Sequence, residues 1–282
     1  MVFVSLIHLI YSTNGNFIID FKEVYDFRLK YDDLSNQGIW AYLNNWAYKI
    51  FVLFIISYSL FKKNWYLLLF SIFSIVLFYS FTGHKITFLS FFIVLFIYII
   101  YKLNWNRIVV IVGTILFFIS ILIFNILTND IWVTSILVRR FLFVPAILNF
   151  TYFDFFMNNE FIYWSNGMLK SFFVYPYDKS FTLIIGEVLK TGSSANTGFI
   201  ATAFAHAGFV GIIFYTLIAT VILNIVNNSI FNENEKFIKI SISFLPIYIF
   251  FTSSDLLTTI FTHGLFIVIL ILIILNIKSE KI

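Results

Sequence analysis

Arg139 and Arg140 stand side by side inside a long apolar stretch. A guanidinium is planar and presents a fixed fork of donors, so an adjacent pair is suited to gripping a phosphate or pyrophosphate. The alternative is that both side chains snorkel to lipid headgroups. The stretch that follows, up to Ala195, supplies further groups capable of chemistry. With the residues just before the pair it makes up the stretch Thr128 to Ala195, which carries Lys170, Lys179 and Lys190, the carboxylates Asp130, Asp154, Glu160, Asp178 and Glu187, and Tyr152, Tyr163, Trp164, Tyr175 and Tyr177. Aromatic faces of this kind stack on the C–H faces of sugars. A third group of residues is the turn Thr82-Gly83-His84-Lys85, where Gly permits the bend and Lys85 presents an ammonium, either to a ligand or as an ordinary interfacial anchor.

The fourth candidate lies in the segment from Asn196 to Gly211, where Ala203, Ala207 and Gly211 recur at every fourth position and predict a close helix contact. His206 is about ten residues inside that segment. On a continuous helix this is roughly 15 Å below the surface and near the bilayer midplane, where an ionisable group is functional by default. The competing reading is a neutral histidine hydrogen-bonded to a neighbouring helix. Asp255 and His263 sit at the last outer turn and read as structural, Asp255 as a helix-end or loop acid.

The scaffold that must position these groups is set by composition. Of 282 residues, 61% are hydrophobic and 11% charged, whereas a soluble domain needs roughly 25% charged residues to cover its surface. The absence of Cys excludes disulfides and thiolate sites and leaves carboxylates, His, Lys and Arg for any chemistry. Apolar runs at residues 39–60, 64–81, 86–101, 107–127, 197–225, 238–257 and 261–277, with half a span at residues 1–11, predict an all-α polytopic bundle of about seven to eight crossings. A β-barrel would alternate apolar and polar residues, and these runs do not.

Lys62, Lys63, Lys102, Arg107, Lys236, Lys239, Lys278 and Lys281 collect on one face, which the positive-inside rule makes cytoplasmic, together with the C-terminus. The formal charge of +4 is therefore an inside-positive bias and not a nucleic-acid footprint. This topology keeps residues 131–156 on the outer side as an interfacial helix or cavity lining, because two adjacent cations at the centre of a lone span are costly. The chain then divides into N-terminal helices (residues 1–127), a large outer loop (128–195) and C-terminal helices (196–282).

The order of these features resembles the Wzy-type oligosaccharide repeat-unit polymerases of O-antigen and capsule assembly, which share a superfamily with the O-antigen ligases. The resemblance rests on Gly83 to Lys85, Arg139-Arg140, Gly186 and the Asn196-to-Gly211 helix opening, and covers residues 82–211. It implies a bacterial inner-membrane glycosyltransferase that moves a growing glycan from undecaprenyl pyrophosphate onto the next lipid-linked repeat unit in the periplasm. The implied partners are that lipid-linked oligosaccharide, membrane lipid, a chain-length regulator and a flippase; neither a nucleotide sugar, a cofactor nor a metal is implied. By the same resemblance Arg139, Arg140 and Lys85 bind the pyrophosphate, and further spans are expected before residue 1.

Ligases of the superfamily carry His immediately before the Asn, and here that position is Ala195, so the general base is not transferred by resemblance. Glu187, Glu160 and His206 remain, in that order. Glu187 leads because it lies in a polar segment with Gly186, Gly192, Ser193 and Ser194, where a partly buried carboxylate can approach a sugar hydroxyl. The nearest alternative is an O-antigen ligase-like glycan transferase, separated by acceptor alone; the rival classes are a lipid-linked oligosaccharide flippase or other transporter, which would place charges inside several spans, and a structural membrane subunit. Only Lys49 and His206 meet the first requirement.

Overall fold

The computed structural model describes residues 1–20, 23–103, 107–129, 131–167, 169–229 and 236–279, with the side chains of residues 107, 132, 136–137, 140–141 and 275–279 outside that description. Arg140 as a side chain, with those of Arg107 and Lys278, and Lys281 altogether, therefore lie outside the described residues. Among the described residues the regular structure is entirely helical. The helices are α1 (Val2–Ser12), α2 (Val24–Ser35), α3 (Trp40–Trp46), α4 (Val52–Lys62), α5 (Trp65–Thr82), α6 (Lys85–Lys102), α7 (Arg107–Thr128), α8 (Trp132–Thr134), α9 (Val144–Asn158), α10 (Phe181–Val188), α11 (Phe199–Asn228), α12 (Lys236–Thr252), α13 (Leu256–Phe261) and α14 (Leu265–Ser279). Two π-helical segments, Ala47–Phe51 and Ser135–Phe143, join α3 to α4 and α8 to α9, so residues 40–62 and 132–158 are each one unbroken helical run.

Among the described residues four helices are long and apolar enough to cross a membrane: Trp65–Thr82, Lys85–Lys102, Ile108–Thr128 and Phe199–Asn228. The chain is thus a membrane protein with several apolar helices. Its residues fall into two compact units.

The first unit holds residues 1–102, 220–249 and 258–282. Its core is Leu9, Val52, Ile56, Ile75, Phe78, Val94, Phe237 and Leu245. Lipid tails are as apolar as these side chains, so close packing must hold the helices together. Small hydroxyl residues allow it: Ser59, Ser71 and Ser74 are buried and return their hydroxyls to carbonyls of their own helix, each at 2.8 Å. Asn64 caps α5 through its side chain, which accepts from the Leu67 N–H at 3.2 Å.

The second unit holds residues 103–219 and 250–257. Its α7 has only 6% of its apolar window buried, as suits a helix facing lipid. Around Tyr152, Phe156, Phe181, Ile185, Phe204 and Ala205 the unit forms a second core, and the Tyr152 hydroxyl donates to the Ala195 carbonyl at 2.9 Å. Helix α11 is not continuous. Ala207 (φ −153°, ψ 31°) and Gly208 (φ 59°, ψ −142°) leave helical geometry, and the chain resumes as a helix from Phe209.

Candidate functional site

The first unit gathers charge where the 83–84 turn meets α2 and the π-helical turn before α4. Lys49 lies in that π turn, is 5% exposed, and donates to Asn45 Oδ1 at 2.5 Å and His263 Nδ1 at 2.6 Å. Where Lys49 carries its full complement of protons, His263 Nδ1 is the acceptor of this contact. The contact depends on Gly264, whose φ of 78° needs glycine and whose missing Cβ leaves room for the Ile50 side chain. Trp46 Nε1 ties the same turn down through the Phe261 carbonyl at 2.6 Å.

Tyr48 carries the cluster onward. Its hydroxyl donates to Asn45 Oδ1 at 2.8 Å, and its ring stacks on His84 at 6.2 Å. His84 Nε2 is 3.7 Å from Asp32 Oδ1, an ion-pair distance and too long for a good hydrogen bond. The adjoining His84 holds the Asp32 carboxyl below its usual range against the opposing effect of burial, with help from Arg28 and Asn36. Burial pushes the His84 imidazole down, and Asp32 only partly restores it. The pair is therefore a carboxylate beside a neutral imidazole. Arg28 lies with its stem against the 83 turn, and its buried Nε has no hydrogen-bond partner. Lys85 Nζ sits 5.2 Å from the Tyr25 ring centre. Arg28 and Lys49 both oppose protonation of His84, and Arg28 also acts on Asp32.

The second unit is built round His206, which is 0% exposed. The backbone N–H of Trp164 donates to His206 Nδ1 at 3.1 Å, which fixes the ring proton on Nε2. That Nε2–H then donates to Asp255 Oδ1 at 3.0 Å. The same carboxylate oxygen accepts the Tyr215 hydroxyl at 2.6 Å, and the tyrosine oxygen accepts Trp164 Nε1–H at 2.8 Å. Burial alone would push the Asp255 carboxyl up, but His206, Tyr215 and the Leu256 backbone together hold it below its usual range. Asp255 also caps α13, accepting from the Leu257 N–H at 3.2 Å.

This network pins the break in α11. The carbonyls of Ala205 and His206 accept the backbone N–H groups of Ile162 and Tyr163, each at 3.0 Å. Tyr163 and Trp164 pay for that clip with left-handed backbones (φ 50° and 58°), a strain of about 1–3 kcal/mol each. A Cβ at Gly211 would overlap the Ala203 carbonyl, so the small residues Ala203, Ala207 and Gly211 serve the fold-back of α11 on itself. The close helix contact expected of these residues is made between the two parts of α11 itself.

The break also changes the expected depth of His206. Helical rise cannot be counted through Ala207 and Gly208. The uninterrupted part, residues 209–228, is by itself about 30 Å long and matches a hydrocarbon core. The depth expected for His206 from a continuous helix therefore does not follow from its residue count alone.

The remaining predicted residues are spread out. Lys85 belongs to the first unit; Arg139, Arg140, Glu160, Glu187, Asn196 and His206 belong to the second. Arg139 is exposed on the second π-helical segment. Glu187 is not partly buried as expected: it is 53% exposed and pairs with Lys179 Nζ at 2.5 Å. Glu160 is exposed, and its carbonyl, not its carboxylate, accepts the Tyr177 hydroxyl at 2.5 Å. Asn196 is exposed and precedes the helix, which opens at Phe199. No hydrogen bond or ion pair among the described residues joins Arg139, Glu160, Glu187 and His206 to one another. Sequence reasoning missed Asp255 as the partner of His206 and His263 as the partner of Lys49; the only signal was an ionisable residue in each apolar run. A scan against protein-family models, a search of curated proteins and a search of solved structures each found no match.

Proposed function

We propose that the protein is a glycosyltransferase of a bacterial cytoplasmic membrane that joins undecaprenyl-pyrophosphate-linked oligosaccharide repeat units into a surface polysaccharide. The observation that carries this reading is the buried Lys49, held by Asn45 and His263, in the same unit as the buried Arg28 Nε, which has no hydrogen-bond partner among the described residues. A buried ammonium with only neutral acceptors is costly, and a pyrophosphate would supply the missing countercharge. In the proposed topology residues 40–62, α5, α6, α7, the 209–228 part of α11, α12 and α14 cross the bilayer, α1 adds the half-span, and the 83–85 turn faces the periplasm with the large loop. By the resemblance, Arg139 and Arg140 of the second unit are further proposed ligands of a pyrophosphate.

Fixed cations of this kind stabilise charge developing on the pyrophosphate leaving group. Glu187 is the proposed base that takes the proton of the attacking sugar hydroxyl, because its carboxylate is accessible. Both ring nitrogens of His206 are already engaged, which suits it to holding the break in place.

A second reading, a flippase for the same lipid, is favoured by the break in α11 and by the buried Lys49, since discontinuous helices and intramembrane charge are the usual substrate sites of transporters. Purified protein in lipid vesicles, supplied with undecaprenyl-pyrophosphate-linked repeat units, separates the two. A polymerase yields a ladder of glycan lengths, and Glu187→Gln leaves only single units while His206→Ala lowers the yield in part. Movement of lipid between leaflets with no change in glycan length would establish the flippase. A full ladder from Glu187→Gln and none from a stably inserted His206→Ala would transfer the base to His206.

A further inference from the structure

Beyond the break, the segment 161–164 runs along α11. Phe161 lies against Gly208, and the Trp164 ring meets Phe214 at 5.9 Å and Tyr215 at 6.2 Å. At helical rise, Gly208 to Phe214 is about 9 Å along the axis. The residues of α11 at that level, Phe209, Val210, Ile213, Phe214 and Leu217, are exposed and apolar, as a lipid-facing surface is. The loop therefore descends beside the lipid-facing part of the helix.

What this loop shows to its surroundings is itself apolar. Phe172 is 77% and Val174 94% exposed, Phe173 lies between them, and the Phe173 ring is 6.2 Å from that of the exposed Tyr163. Lys170 is exposed at the border of this patch. Consecutive large apolar side chains on a loop call for a cover, and aromatic residues flanked by a cation are the composition that settles at a headgroup boundary. The neighbouring tyrosines are differently placed: the Tyr175 and Tyr177 hydroxyls are tied to backbone carbonyls.

We propose that the loop tip, Tyr163 with Phe172, Phe173 and Val174, is immersed in the phospholipid leaflet that meets the α11 break, with Lys170 at the lipid phosphates. Tyr163 is pressed toward that leaflet by its left-handed backbone, which the carbonyls freed at the break hold in place. The tip anchors the polar segment carrying Glu187 to the surface from which a lipid-linked substrate would be drawn, and the anchoring holds whichever reaction the protein performs.

The chain has no Cys, so single reporters are clean. Phe172→Cys, Val174→Cys and, as an aqueous reference in the same loop, Asp178→Cys would each be labelled with an environment-sensitive fluorophore and the full chain placed in phosphatidylglycerol-containing vesicles. The expected result is blue-shifted emission at positions 172 and 174, with quenching by lipids spin-labelled near the headgroup and loss of quenching by iodide relative to position 178. Equal iodide quenching at 172, 174 and 178, with no effect of the spin-labelled lipids, would put the tip in water and overturn the inference. Protection from both quenchers would mean that protein covers the tip, and would overturn it equally. Because both reporter positions are exposed, a folding defect in one leaves the other to decide.

Discussion

Lys49 and His206 are both buried, both ionisable and both paired with a distant residue, but the two units balance them differently. In the second unit every polar atom of the network meets a partner of the right kind: His206 Nδ1 takes a backbone N–H, His206 Nε2–H and Tyr215 O–H converge on one carboxylate oxygen, and Trp164 Nε1–H closes the chain. In the first unit Lys49 has only the neutral oxygen of Asn45 and the neutral nitrogen of His263, and Arg28 Nε has no partner at all. A satisfied network of that kind holds a backbone in an unfavourable shape. The first unit's cluster is balanced less completely, and on the proposed reading a ligand would supply the missing partner.

The sharpest way to break this comparison is Asp255→Ala. Removing the carboxylate leaves a buried imidazole N–H and a buried tyrosine hydroxyl without their acceptor, and α13 without its cap. Breaking one side of a buried pair costs about 3–5 kcal/mol. Thermal unfolding in detergent should show a large fall in Tm, with protease sensitivity appearing in residues 159–165 as the Ile162 and Tyr163 clip loosens. An unchanged Tm would mean that the network does not hold the break.

Next in size is Lys49→Met, which keeps the length of the side chain and removes the charge. A buried charge replaced by an apolar group of similar volume is commonly neutral or stabilising, so Tm should stay or rise, in contrast with Asp255→Ala. Polymer formation should fall by about 10²–10³-fold, the usual effect of losing one fixed electrostatic donor. A large loss of Tm with activity intact would make Lys49 structural and reverse the roles assigned to the two clusters.

The helical architecture was legible in the sequence because hydrophobic length is a local property. The runs at 64–81, 86–101 and 107–127 return as α5, α6 and α7 within a residue or two. The run at 197–225 was legible as apolar but not as broken, because the left-handed Gly208 is imposed by Ile162 and Tyr163 from a separate part of the chain. A glycine in an apolar run reads equally well as a packing site. Asp255 was recognisable as a helix-end acid, and it does cap α13. Its coupling to His206 spans 49 residues, and that of Lys49 to His263 spans 214, so neither leaves a trace in local spacing. Glu187 and Lys179, eight residues apart, lie in one polar segment, and even there sequence did not distinguish an exposed ion pair from a partly buried carboxylate.

The smallest effect tests the charge state of the first unit's turn. Burial pushes His84 below its ordinary 6.5, so on acidification the unfolded chain takes up a proton near that value while the folded chain resists. Stability contributed by neutral His84 is therefore present above about 6.5 and declines as pH falls below it. Asp32, held down chiefly by His84, works in the same direction, but its contribution disappears only as pH drops below the ordinary carboxylate value of 3.8. The loss between pH 6.5 and 5 thus belongs to histidine. His263, also pushed down by burial, adds to it, so the variant to compare is His84→Gln, which removes the His84 titration and leaves the others in place. The groups facing His84 are Asp32, Arg28 and Lys49, and the two cations oppose its protonation. The wild-type Tm should fall across this interval, and His84→Gln should fall less. If the wild-type Tm instead rises on acidification, His84 gains its proton in the folded state as the ion-pair partner of Asp32. The first unit would then carry still more positive charge than its neutral imidazole implies, and the contrast with the closed network around His206 would widen.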